Sequence, residues 1–431
     1  SLSFSQLFDL ALAAERIETK HALLGYKAES NIFFELRKSS LRKIINEKVM
    51  SSGRVPSLCS LSRFACSSGY HRIHPLRNRL LPFQCVARRR SFSSAAKYMD
   101  STKVKHITVL SSLSSRALDG LPTIPGVNFI VSENVESLKE TASVEESCGV
   151  VFIPPLSTEV LVNAWPLFKK ANWVHCFFAG CDSVMPFIRK YELEHDSKFN
   201  LTNGRGAFSD SLAEYALTVM LHFNKQIKRI EANRREKVWD KFQMSTLRNK
   251  TVGFIGFGHI AQVTAKLCKE GFGMKVLALR RNPKKDNSVL ADHVYSINDR
   301  ENMLAKCDYV VCVLPGTSET TNFVSDVEFK AMPKHSIFIS MGRGTCVDES
   351  ALDSALSDKE IAGAALDVFQ TEPLPTSSPL WKHENLLITA HNADLTEDYY
   401  DLGWKVWRKN FDRFCSEGQD FATPVDKKLG Y

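Results

Sequence analysis

An α/β fold built on parallel sheets is the architecture that this chain of 431 residues predicts, and three observations carry the expectation. Between residues 251 and 281 a β-rich run, Thr251 to Ile255, enters the turn Gly256-Phe257-Gly258-His259-Ile260-Ala261. A helical stretch follows, and then a second run, Lys275 to Leu279. Further apolar runs at 309–315, 336–342, 362–368 and 385–391 read as later strands of the same sheet. Upstream, runs at 106–112, 127–132, 149–154 and 172–178 alternate with helical or loop segments and form a second, smaller α/β unit.

The elements follow in order. Residues 1–49 have mixed charge and some helical periodicity, and they carry no motif. Residues 50–99 contain nine Arg or Lys (Arg54, Arg63, Arg72, Arg77, Arg79, Arg88, Arg89, Arg90, Lys97), many serines and no acid. That composition matches an organellar transit peptide, a mitochondrial one more than a plastid one, because Arg90-Ser91-Phe92-Ser93-Ser94 resembles a processing site. A disordered basic tail or mispredicted untranslated sequence is the alternative, and Met99 could begin a cytosolic form. Residues 100–205 are expected to form the smaller domain. Residues 209–230 read as one long amphipathic helix capped by Ser209 or Asp210. Residues 206–392 are expected to hold the nucleotide-binding sheet. A helix over about 396–417 follows, and 393–431 are expected to return and complete the first domain.

Composition excludes several classes. No run approaches the roughly 20 apolar residues of a membrane span. The net charge of +8 is concentrated in residues 50–99, and without those nine cations the remainder falls just below zero, so no basic footprint for nucleic acid is present. Eleven cysteines occur without a CxxC or a Cys/His cluster of zinc type. They read as free thiols of a reducing compartment, and no metal is expected.

The 251–281 stretch has the layout of a dinucleotide-binding βαβ unit. Gly256 allows the tight turn, Gly258 lets backbone approach a pyrophosphate, and the helix N-terminus offers free N–H groups to it. The second strand ends in Arg280 and Arg281 where an acid would favour a free ribose 2′-hydroxyl. Two arginines suit a 2′-phosphate, so NADPH is expected over NADH. Three later strand ends carry charge: Arg343 between Gly342 and Gly344, Asp367 with Glu372 five residues on, and His391 after Thr389-Ala390. Ligands of such sheets bind at the carboxyl ends of the strands, so these groups face the cofactor. A surface ion pair for Arg343, loop-capping acids and a structural histidine are the alternatives when each is taken alone. An oxo acid needs its carboxylate anchored, its carbonyl polarised and a proton delivered. Arg343 suits the first two tasks and His391 the third, with Glu372 stabilising the imidazolium.

These motifs (GFGHIA, VCVLPGTSETTNFV, ISMGRGTCVDESAL, GAALDVFQTEPLP, ITAH and the closing VD…GY) resemble the D-isomer-specific 2-hydroxyacid dehydrogenases over about residues 150–431. The resemblance is strongest to NADPH-dependent glyoxylate/hydroxypyruvate reductases. It implies a Rossmann-type doubly wound domain inserted into a smaller flavodoxin-like domain, with Arg343, Glu372 and His391 catalytic. It implies cofactor contacts at Gly256, Gly258, His259, Ile260, Arg280, Arg281, Leu314, Pro315, Thr321, Met341 and Gly342, and a nicotinamide carboxamide held by Asp367. The WVHCFFAGCDS segment looks like the substrate-carboxylate loop, with Ala179, Gly180 and Cys181 offering backbone N–H groups. A homodimer with helix 209–230 packed against its twin is implied as well. The chain departs from the family at Ser340, Ala390, Asn392 and Asp394, and an extra acid near the pocket mouth would change substrate choice or disfavour dianionic substrates. A nucleotide-sensing corepressor on the same fold is the competing reading.

Overall fold

Strand alternation explains how this chain is layered. In β6 (Thr251–Ile255) and β7 (Lys275–Leu279), Val252, Phe254, Val276 and Ala278 point to one face, and Ile255, Leu277 and Leu279 point to the other. Both faces are apolar, so both are covered. The same holds in the smaller unit, where Val109 and Val151 enter one core and Leu110, Val150 and Phe152 the opposite one. The computed structural model describes residues 104–283, 289–416 and 420–431. The proposed leader, its processing site and the 1–49 segment lie outside the described residues.

The first sheet comprises β1 (Lys105–Leu110), β2 (Val127–Ser132), β3 (Ser147–Phe152), β4 (Trp173–Cys176) and β5 (Asn200–Asn203), all parallel, in the order β2-β1-β3-β4-β5. The second adds β8 (His293–Tyr295), β9 (Tyr309–Cys312), β10 (Ile337–Ser340), β11 (Gly363–Leu366) and β12 (Leu386–Ile388) to β6 and β7. Its order is β12-β11-β10-β9-β6-β7-β8, again all parallel. Chain direction across this sheet reverses between β6 and β9, which is where a doubly wound sheet opens a crevice for ligands. The α/β fold with a Rossmann-type sheet is thus present.

Two strands carried no apolar run. β8 is three residues at a sheet edge. β5 reads Asn-Leu-Thr-Asn, yet Thr202 and Asn203 are buried. Their polar groups are satisfied inside. Thr202 Oγ1 accepts from Trp173 Nε1 at 2.8 Å and bonds His175 Nδ1 at 2.7 Å, and Asn203 Nδ2 donates to Ala179 O at 2.6 Å. Burial lowers His175 to about 3, so it stays neutral there.

The long helix expected over 209–230 is two helices, α1 (Ser209–Asn224) and α2 (Ile227–Glu236). Gln226 between them is left-handed, with φ 52°, which no continuous helix tolerates. The apolar face of α1 is also already occupied. Leu212, Ala216, Leu217, Val219 and Met220 pack within the core of the second sheet, so these side chains form no exposed stripe for a twin. After β12 the chain returns to the first sheet. Helix α4 (Tyr399–Phe414), which follows α3 (His259–Lys266) in this labelling, lays Trp404, Trp407 and Phe411 on the Ile107/Val109/Trp173 face. Beyond it Thr423 O accepts from Asn203 N at 3.3 Å. Among the described residues no helix is long and apolar enough to cross a membrane.

Candidate active site

The glycine-rich turn joins β6 to α3. Gly256 has φ 89°, in the left-handed region that favours glycine. Gly258 is the residue before the first turn of α3, and a Cβ there would meet nothing within 4 Å, so backbone is openly presented. No side chain caps α3, which leaves its first N–H groups for an anion. These residues fit a dinucleotide pyrophosphate. His259 opens the helix and shares a 2.7 Å hydrogen bond with Ser209 Oγ, which ties the turn to α1. Ile260 packs at the edge of the core.

At the end of β7, the guanidinium of Arg281 pairs with Glu319 at 2.5 Å. Glu319 belongs to the loop after β9 that also holds Leu314, Pro315 and Thr321. That loop is closed by Thr320 Oγ1 donating to Pro315 O at 2.6 Å and by Thr321 Oγ1 donating to Thr317 O at 3.1 Å. Met341 is buried in the core, so its side chain is unavailable to a cofactor.

Two backbone crowdings explain why glycines flank Arg343. A Cβ on Gly342 would lie 2.5 Å from Leu314 O, and one on Gly344 would lie 1.9 Å from the carbonyl carbon of Phe369. The loop after β10 is therefore pressed between the ends of β9 and β11. Arg343 projects from this wedge toward the first sheet, where its Nε donates to Asp182 Oδ2 at 3.0 Å. Its tip lies against Gly180, since a Cβ there would fall 1.5 Å from Arg343 Nη2. The 179–181 loop and the strand-end arginine are thus in contact across the two sheets. Cys181 is only 2% exposed and its thiol packs inward, so this residue offers backbone alone.

His391 Nδ1 donates to Glu372 Oε2 at 2.7 Å, and Glu372 Oε1 accepts from Phe369 N at 2.9 Å. The carboxylate is thereby oriented by β11's own end. The bond at Nδ1 leaves Nε2 as the nitrogen that faces outward. His391 has φ 50°, unusual for a residue with a Cβ. The fold compels it: His391 N donates to Asp367 O at 2.8 Å, while Asn392 N and Ala393 N donate to the Asp367 carboxylate at 3.1 and 3.2 Å.

Asp367 is 2% exposed, and Thr389 Oγ1 also donates to it at 2.6 Å. Thr389 in turn receives from the Tyr215 hydroxyl at 2.9 Å, a group that burial pushes up to about 12. The carboxylate of Asp367 thus builds the loop that aims His391. Sequence reasoning assigned no role to Asp182, Tyr215 or Thr389 at this site, although Asp182 lies within the WVHCFFAGCDS segment and Thr389 within ITAH.

Comparisons with known proteins bear on the family and the fold. Residues 217–393 match the model of the D-isomer specific 2-hydroxyacid dehydrogenase NAD-binding domain. The chain is 35% identical over 297 residues to a probable 2-ketogluconate reductase of Dictyostelium discoideum, covering 67% of this chain and 85% of that one. It is 33% identical to a glyoxylate reductase of Thermococcus litoralis, over 60% of this chain and 76% of the relative. Among solved structures, a D-isomer specific 2-hydroxyacid dehydrogenase family protein of Aeromonas salmonicida superposes with a TM-score of 0.62 at 27% identity, covering 75% of this chain and all of that one.

Proposed function

The chain belongs to the D-isomer-specific 2-hydroxyacid dehydrogenase family and is an oxidoreductase of 2-oxo and 2-hydroxy acids, and on that premise we propose that it reduces small 2-oxo acids of the glyoxylate and hydroxypyruvate type with NADPH, His391 donating the proton. The observation that carries this reading is the His391–Glu372 bond of 2.7 Å on a loop whose backbone Asp367 holds. Bound NADPH supplies the hydride; the protein supplies geometry and charge.

Arg343 exchanges Asp182 for the substrate carboxylate, and its positive charge favours the alkoxide that develops on the carbonyl oxygen. The backbone of Ala179, Gly180 and Cys181 bounds the other side of that carboxylate. His391, protonated and held at Nδ1 by Glu372, gives its Nε2 proton to the oxygen as negative charge arrives there. Arg280 and Arg281 support NADPH as the preferred cofactor, because a planar guanidinium suits a 2′-phosphate.

The test is NADPH oxidation by glyoxylate and hydroxypyruvate. His391→Ala should lower turnover by about 10²–10⁴-fold with NADPH affinity little changed. A His391→Ala enzyme working at the unmodified rate refutes the assignment. Assembly and location complete the proposal. Trp239, 92% exposed, stands with exposed Val238 and Met244 between α2 and β6, and this exposed apolar segment supports a two-fold contact. A monomer by light scattering at micromolar concentration refutes it. The acid-free, arginine-rich 50–99 stretch supports import into mitochondria, and N-terminal sequencing of the organellar protein checks for cleavage near Phe92.

A further inference from the structure

Two carboxylates outside the His391–Glu372 pair lie near the cationic groups of the site. Asp182 follows the 179–181 loop by one residue, and its Oδ2 accepts from Arg343 Nε at 3.0 Å. Asp394 lies three residues beyond His391. Burial is the main reason that its carboxyl is held above the usual carboxylate range; the negative charge of Asp367 adds to this, while the positive charges of His391 and Arg343 oppose it. Asp394 therefore lies within electrostatic reach of both cationic groups of the site. Tyr399, raised chiefly by burial, feels Asp394 and Arg343 as well. Arg343 and His391 thus stand near four carboxylates, with Asp182 bonded to the one and Glu372 to the other.

We propose that Asp182 and Asp394 form an acidic fence around Arg343 and His391 that admits monoanionic 2-oxo acids with neutral, hydroxyl-bearing tails and rejects dianionic ones. The inference rests on the reductase reading above. A substrate has one carboxylate to exchange with Asp182 on Arg343. A second carboxylate or a phosphate on the tail would lie against Asp394 or the displaced Asp182, where like charges repel. A tail hydroxyl donates a hydrogen bond to the same carboxylates.

D-glycerate and tartronate isolate the effect, because they share a carboxylate and a 2-hydroxyl and differ only in a terminal hydroxymethyl against a second carboxylate. Their binding to the complex of the unmodified protein with NADP⁺ is measured by calorimetry. It is then repeated with Asp182→Asn, Asp394→Asn and the double variant, all close in shape to the original. Glycerate should bind the unmodified protein about 10-fold or more tightly than tartronate, and the double variant should bring the two near parity. The ratio of kcat/KM for hydroxypyruvate to that for oxaloacetate should fall in the same variants. Tartronate binding as tightly as glycerate to the unmodified protein overturns the fence, as does a double variant that leaves both ratios unmoved while still reducing hydroxypyruvate. If hydroxypyruvate is not reduced and neither acid binds, the reductase reading falls, and the fence falls with it.

Discussion

Replacing Gly180 with alanine is the sharpest probe of the contact between the two sheets. The new Cβ would lie 1.5 Å from Arg343 Nη2 and 2.8 Å from Cζ. An ordinary contact needs about 3.5 Å, so one side must retreat by about 2 Å. The loop is the stiffer partner: Ala179 O accepts from Asn203 Nδ2 at 2.6 Å, Gly180 O accepts from Cys176 Sγ at 3.2 Å, and the Cys181 thiol is buried in the core. The arginine tip is the softer one, with a side chain 33% exposed and an ion-pair partner, Asp182, that is 54% exposed.

Arg343 should therefore swing away while the fold survives. A catalytic group misplaced by about 1 Å costs on the order of 10²-fold, so kcat/KM for hydroxypyruvate should fall by at least that factor, about 2.7 kcal/mol of transition-state stabilisation. The oxo-acid KM should rise as kcat falls, because the carboxylate loses its anchor. Steady-state kinetics, NADPH titration and a thermal melt read the outcome together. Unchanged kcat/KM refutes the reasoning. So does a large fall in Tm, which would mean that the loop rather than the arginine gave way.

Three further outcomes are expected. Gly344→Ala should destabilise the whole protein by about 3 kcal/mol, because its Cβ would meet the Phe369 backbone at 1.9 and 2.0 Å and no flexible tip can yield; an unchanged Tm refutes this. Glu319→Gln should tighten NADPH by up to about 5-fold by releasing Arg281 from its exposed pair, a pair worth at most about 1 kcal/mol; unchanged NADPH affinity counts against a 2′-phosphate role for Arg281. Asp308 anchors the start of the second sheet, accepting from Lys250 Nζ at 2.7 Å, Thr251 N at 2.8 Å and His335 Nε2 at 3.1 Å. Burial alone would raise its carboxyl, but these bonds and the Lys250 charge hold it below the usual range. Its ionised form is thus favoured on folding, so Asp308→Asn should cost about 2 kcal/mol at pH 7, and the gap should close as pH falls below about 4. Urea melts at both pH values check the sign.

What the sequence shows and what it hides follow from range. The glycine turn, the helix behind it and the charged strand ends at 343, 372 and 391 are local patterns. Periodicity and turn chemistry reveal them because β6, α3 and the later strands are each made by neighbouring residues. The partner of Arg343 is 161 residues away in the other sheet, and the partner of Arg281 is in a loop beyond two strands. No spacing rule reaches them. β5 was hidden because its buried residues are polar and are satisfied only by Trp173, His175 and the 179 loop. The break at Gln226 was hidden because an apolar stripe continues through Ile227 and Ile230, and only the backbone shows the left-handed turn. The φ of 50° at His391 has no local signature either, because the bonds from its loop to Asp367, 24 to 26 residues back in the chain, impose it.

The two halves of the site are held in opposite ways, and their tasks require it. His391 must deliver a proton to one oxygen, so its position is overdetermined. Glu372 grips Nδ1, Asp367 takes the backbone N–H groups of His391 and of the two residues after it, and Thr389 and Tyr215 lock Asp367 through a chain of satisfied, part-buried bonds. Such a network has little slack, and it holds the left-handed backbone that an isolated loop would abandon. Arg343 must instead change partners each time a substrate enters. Its bond to Asp182 is half in solvent and so is weakly stabilising, which lets an incoming carboxylate replace it at small cost. Had that pair been buried as deeply as Asp367, breaking it would have consumed the binding energy that the substrate carboxylate brings. The glycines at 342 and 344 reconcile the two demands: they clamp the arginine's backbone against β9 and β11 while leaving its guanidinium free to exchange.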